Sequence, residues 1–253
     1  MALSHTNLLR ETSANAFGTG VYTPAAFTPG TGKRLIVRAG ISTTLDSAVA
    51  ATDMTITDSM GPLTWTAIVG TATADSIGWG YATRAWISSA TTTGASMTIT
   101  LDCGAFGAEN YRISVESLTG ENASPVGVTA VGSDADGDGA GTITLSGTPA
   151  STSIIFAMAQ AARDIGAGGS ITQGAGWTEE SDVSRADWWC FQTQYITGST
   201  STSVAWADLA VSAGAPLGAQ MIAFEIIAAA GATAATTIRF EGSFGRPRTR
   251  YAM

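Results

Sequence analysis

The feature that most constrains this chain is an internal near-repeat of short β-type segments. Its first copy runs Leu35-Ile36-Val37-Arg38-Ala39-Gly40, then Trp65-Thr66, then Ala85-Trp86-Ile87. A Ser/Thr/Gly hairpin follows, then Met97-Thr98-Ile99-Thr100 and Tyr111-Arg112-Ile113-Ser114-Val115-Glu116. The second copy runs Ile154-Ile155-Phe156-Ala157-Met158-Ala159, Trp177-Thr178 and Gln194-Tyr195-Ile196. It continues through a second Ser/Thr/Gly stretch to Ser203-Val204-Ala205-Trp206 and Met221-Ile222-Ala223-Phe224-Glu225. Order and approximate spacing agree, and both copies end in a strand carrying an acid. Each half supplies about four core strands. Halves of that size hold too little core to stand alone, so the expectation is one all-β domain: a single two-sheet, jelly-roll-like β-sandwich.

The local pattern agrees with an all-β reading. Runs rich in Val, Ile, Thr and aromatics are separated by Gly, Pro, Asp and Ser clusters. Met97, Ile99 and Leu101 alternate with Thr98, Thr100 and Asp102, and Ile222, Phe224 and Ile226 alternate with Ala223, Glu225 and Ile227. Period-two alternation turns one face of a strand to a core. No segment reads as a long, capped amphipathic helix. The expected organisation is an extended N-terminal arm at 1–32, a sandwich at 33–228 with halves at about 33–120 and 152–228, and a basic tail at 229–253. Phe17, Tyr22 and Phe27 are the hydrophobic anchors of the first arm, expected to lie across a neighbour or along their own sandwich.

Charged residues are only 13% of the chain, about half the usual share, while hydrophobic residues make up 45%. That suits a globular protein whose surface packs against neighbours. The net charge is −8. In 239–253, four arginines (Arg239, Arg246, Arg248 and Arg250) face one acid, Glu241, so this stretch is +3 and the remainder −11. The asymmetry suits either a tail that docks on an acidic neighbour, with Phe244, Arg246, Arg248 and Arg250 as its contacts, or a solvated tail at a chain end. The acidic body carries no basic stripe, which argues against nucleic acid. The start of the chain lacks the pattern of a signal peptide. The apolar stretch at Met221–Ala230 is too short to span a bilayer and is broken by Glu225. The expectation is a chain made in a cytoplasm, with no membrane partner. Cys103 and Cys190 lack metal-site spacing and read as buried thiols, with a disulfide left open.

Chemistry-bearing patterns are sparse. The single histidine, His5, excludes a multi-histidine metal site and a histidine-based triad elsewhere in the chain. Gly30-Thr31-Gly32-Lys33-Arg34 departs from a phosphate loop, with Phe27 at the first glycine position and Arg34 where Ser or Thr is required. Glu179, Glu180, Asp182 and Asp187 surround Trp177, Trp188 and Trp189, and acids beside tryptophans suit a sugar site. Cross-strand aromatic packing with solvated acids is the plainer explanation. Trp188 and Trp189 are adjacent, so on a strand they face opposite ways and one is expected at an interface. Asp134, Asp136 and Asp138 alternate ahead of Gly139 as in the first half of a calcium loop. Position twelve is Leu145 rather than Glu, so an Asp/Gly turn competes with calcium here.

The chain resembles a group of tailed-bacteriophage β-sandwich virion structural proteins. The likeness rests on Phe27-Thr28-Pro29-Gly30 leading into Leu35-Ile36-Val37, on Glu116–Gly120 with Pro125–Gly127, and on Gly176–Glu179, and it spans about residues 25–228. The resemblance implies a non-enzymatic protein of the virion surface, a capsid decoration (cement) protein or a tail-fibre component. Other virion proteins and further copies of itself, in a trimer, are its implied partners. No catalytic residue is carried over. A carbohydrate- or receptor-binding module that attaches to a host-surface glycan is the alternative, and no cofactor is expected beyond the calcium just weighed.

Overall fold

The computed structural model describes residues 2–14, 20–43, 50–61, 63–74, 80–89, 91–104, 110–134, 139–162, 170–185, 189–209 and 218–231. Apart from one 3-10 turn at Ala51–Asp53, the regular structure among them is β. The first eight strands are β1 (Ser4–Ala14), β2 (Val21–Tyr22), β3 (Arg34–Thr43), β4 (Thr55–Asp58), β5 (Trp65–Ala74), β6 (Gly80–Ser88), β7 (Ile99–Asp102) and β8 (Asn110–Thr119). The second eight are β9 (Glu121–Asp134), β10 (Thr142–Thr144), β11 (Ile154–Ala162), β12 (Thr172–Gln173), β13 (Thr178–Arg185), β14 (Trp189–Thr197), β15 (Ser203–Asp208) and β16 (Ala219–Ala228).

The sheets repeat this division. The first half builds a five-stranded sheet, β1-β8-β3-β6-β5, and a three-stranded sheet, β2-β7-β4. The second builds β9-β16-β11-β14-β13 and β10-β15-β12, the same wiring with every strand advanced by eight. The ladders between these strands are antiparallel. In each half the first strand pairs with the eighth, the second with the seventh and the third with the sixth, a nested order of hairpins. The fifth strand pairs with the sixth instead of the fourth. Gly120, at φ 81°, turns the chain from β8 into β9.

Period-two alternation explains how the layers stack. Along β3, Leu35, Val37, Ala39 and Ile41 enter a core shared with Ile99 and Leu101 of β7. Ile36 points the other way, into a core with Phe156 of β11, Phe191 of β14 and Phe224 of β16. A third core joins Ile155 and Ala157 of β11 to Val204 and Trp206 of β15. The order of layers is therefore three strands, five, five, three.

The all-β class, the β-sandwich architecture and the paired halves agree with the expectation. Its single pair of sheets becomes two pairs, because the backs of the five-stranded sheets bury a third core that neither half has alone. Burying a Phe or Ile side chain fully contributes about 1.5–3 kcal/mol, so this shared core adds substantially to the other two. The repeating unit in the wiring spans Ser4–Thr119 and Glu121–Ala228, longer than the halves read from sequence. Ser4–Ala14, expected as part of an extended arm, is an edge strand beside β8.

The five-stranded sheets meet as a two-fold dimer would, within one chain. Central β3 lies against central β11, where Gln160 Nε2 donates to the Ile41 carbonyl at 2.7 Å. β5 packs on β16 and β9. At the opposite flank β8 reaches β13, where Arg112 donates to the Ser181 hydroxyl. Gly40 marks the closest approach: a Cβ there would sit 2.5 Å from Gln160 Oε1 and 2.7 Å from Phe191 Cε2.

Candidate functional site

The densest group of ionisable side chains lies between the two five-stranded sheets. Arg38 follows Ile36 on the inner face of β3 and is fully buried. Its Nη2 donates to Glu116 Oε1 on β8 at 2.7 Å and to Glu180 Oε2 on β13, and its Nη1 donates to the Ala157 carbonyl at 3.2 Å. Glu116 also accepts from the Ser114 hydroxyl and from Asn7 Nδ2 at 3.4 Å. Glu180 is the extra residue of a β-bulge: Glu179 pairs with Gln194 and Ser181 with Thr193, leaving Glu180 out of register. The bulge turns Glu180 inward while Glu179 stays exposed.

The edge strand β1 closes the cluster. The His5 ring stands edge-on to Tyr195 and Phe156, with centroids 4.3 and 5.0 Å away. Its Nδ1 is 3.6 Å from Glu180 Oε1, and Arg10 Nη2 is 3.9 Å from the same oxygen. The Arg38 guanidinium carbon lies 5.1 Å from the Phe156 ring centroid, within cation–π range.

Burial is the largest influence on these groups. It favours a neutral Arg38, but Glu116 and Glu180 outweigh it and hold the guanidinium above its ordinary pKa. Burial pushes the Glu116 carboxyl up, against the pull of Arg38. It pushes His5 down, against Glu180. It lowers Arg112 to about 10, with Arg10 adding repulsion. Asp182 rises to about 6 through burial and the nearby charge of Glu179. Chemically, the arrangement is an ion-pair clamp between sheets. Attraction inside such a clamp roughly offsets the desolvation of its members, so its physical effect is to fix one alignment of the halves.

The residues singled out from sequence are dispersed. Trp177 packs half-buried on the second-half core, Glu179 faces solvent, Asp182 is half-buried, and Glu180 is turned to Arg38. The acid–tryptophan group is thus split between faces. Trp189 pairs through its backbone with Ala162 and Arg185, while Trp188 and Asp187 lie outside the described residues. Asp134 ends β9, opposite Ala219, and Asp136 and Asp138 lie outside the described residues. Among the described residues no group of three or more His, Cys, Asp or Glu is placed to hold a metal.

Tyr22 stacks on Tyr111 at 5.1 Å, and Phe27 is buried in the first-half core, its backbone exchanging two hydrogen bonds with Met97. Both anchors therefore serve their own sandwich. Phe17, Phe244, Arg246, Arg248 and Arg250 lie outside the described residues. Cys103 and Cys190 are buried in different cores and are not bridged to each other, and burial raises the Cys103 thiol to about 12.

Sequence reasoning did not single out Arg38, Glu116 or the place of His5. One signal was available: Arg38 is the lone charge within Leu35-Ile36-Val37-Arg38-Ala39-Gly40-Ile41, and a charge in so apolar a run needs a buried partner. The acid shared by the two copies was noticed, but its two members do different things. Glu116 faces Arg38 between the halves, whereas Glu225 accepts from the backbone N–H of Val128 at 3.1 Å and of Ala150 at 2.7 Å.

No family model, no curated protein and no solved structure matches the chain. Among the described residues no helix is long and apolar enough to cross a membrane.

Proposed function

We propose that the chain is a non-enzymatic structural protein of the surface of a tailed-phage virion, with capsid decoration or cement as its first position and a tail-fibre component as its second. The observation that carries this reading is the inward use of its ionisable side chains. His5, Arg38, Glu116 and Glu180 hold two sandwiches together rather than converging on a substrate. The resemblance of its motifs to those of phage β-sandwich proteins supports the virion setting. The low content of charge fits a surface that packs against capsid or tail subunits and against copies of itself.

Quantitative mass spectrometry of purified particles of the encoding phage tests the proposal. A copy number close to that of the major capsid protein is the expected result for decoration. A few copies per particle move the protein to the tail. Absence from particles overturns the virion reading. Light scattering of the purified chain tests self-association, for which the expected result is a trimer.

A further inference from the structure

The seam between the halves opens at one point into a cleft of about 370 Å³, within the size range of small-molecule sites, which favour such junctions. Both halves line it. Arg34 at the start of β3, Thr66 of β5, Ile87 of β6 and Ser89 just beyond come from the first, and Ser124 and Pro125 of β9 from the second. We infer that this cleft binds a small sugar carrying a carboxylate, of the uronic or sialic acid type. The inference stands on the cleft alone and goes beyond the virion reading.

Charge selects the ligand class. Among the described residues Arg34 is the only charged one lining the cleft, on a chain whose net charge is −8. Its side chain is only 17% exposed, and its Nε is 3.8 Å from Glu121 Oε1, beyond hydrogen-bond distance. Its guanidinium makes no hydrogen bond with a described residue. A planar guanidinium whose donors are not taken by a described residue, with Glu121 only in long ion-pair range, matches a carboxylate in a bidentate pair. Much of its desolvation is already complete in the folded protein, so an anion meets a preorganised partner.

The remaining lining suits a sugar ring rather than a bare acid. Ile87 and Pro125 are buried and form an apolar floor for C–H faces. Thr66, Ser89 and Ser124 are exposed, with hydroxyls that both donate and accept, as sugar hydroxyls require.

Saturation-transfer NMR on the full chain tests this with glucuronate and N-acetylneuraminate, and with methyl glucoside and acetate as partial ligands. The expected result is transfer to at least one acidic sugar, with affinity about tenfold weaker for methyl glucoside and for acetate. Ala123 of β9 also lines the cleft, and Ala123→Trp fills it and leaves Arg34 in place; Arg34→Gln removes the charge. Each is expected to weaken binding at least about tenfold. Melting midpoints within about 2 °C of the parent show that the variants remain folded. No transfer to either acidic sugar overturns the inference, as does transfer that Ala123→Trp leaves unchanged. Equal affinity for methyl glucoside overturns the role of Arg34, and equal affinity for acetate overturns the sugar.

Discussion

Replacing Arg38 by methionine removes the positive member of a buried cluster and keeps most of its volume. Glu116 and Glu180, whose side chains are 0% and 1% exposed, then lose their cation. Three hydrogen bonds go with it, to Glu116, Glu180 and the Ala157 carbonyl. Stranding one partner of a buried pair costs about 3–5 kcal/mol. With a urea slope of about 2–3 kcal/mol per molar, the unfolding midpoint falls by about 1–2.5 M at pH 8. The penalty has a pH signature. Burial already raises the Glu116 carboxyl above its ordinary range in the parent, and losing Arg38 removes the opposing pull. The folded variant therefore binds protons more readily than its unfolded chain, and its deficit shrinks as the pH falls. The triple variant Arg38→Met, Glu116→Gln, Glu180→Gln leaves no buried charge unpaired and is expected to recover most of the loss. Urea titrations of parent, single and triple variants at pH 8 and pH 5, followed by tryptophan fluorescence, supply the numbers. A deficit for Arg38→Met below about 1 kcal/mol, or one equal at both pH values, refutes the reasoning.

Gly40→Ala places a methyl group 2.5 Å from Gln160 Oε1 and 2.7 Å from Phe191, so overpacking is expected to cost about 1–3 kcal/mol, read as a lower melting midpoint. Burial holds His5 below the ordinary histidine range, so its contribution is intact above that range and is lost as the pH falls through the folded value. His5→Gln should flatten that part of the stability profile. Asp182 acts in the opposite sense: with its folded pKa near 6, its protonation favours the fold as the pH falls from about 6 towards 4, and Asp182→Asn should remove that gain. A thiol reagent should find neither Cys103 nor Cys190 in the native protein and both after denaturation, since both are buried and not bridged to each other.

The repeat was legible because each copy keeps the same order of strand types, and Leu35–Gly40 and Ile154–Ala159 do occupy equivalent strands, β3 and β11. Thr28-Pro29 and Thr148-Pro149, which precede those strands, were a further marker of the same relation. The number of layers was hidden for a physical reason. A strand buried on both faces loses apolar–polar alternation, and β16 is apolar on both faces for most of its length. Residue register was hidden as well. Glu116 and Glu225 end matching strands, yet a one-residue offset sends them to opposite faces. β1 escaped notice because Ser4-His5-Thr6-Asn7 is polar, and its pairing depends on an edge that exists only once β8 is placed. The clamp joins residues 142 positions apart, from Arg38 to Glu180, and a bulge aims the second of them. Neither the separation nor the bulge leaves a local pattern to read.

Because the five-stranded sheets meet back to back, the two three-stranded sheets are the outermost layers and face away from each other. One chain thus presents two similar three-stranded faces in opposite directions. A covalently joined pair keeps that spacing at any dilution, because its halves cannot drift apart.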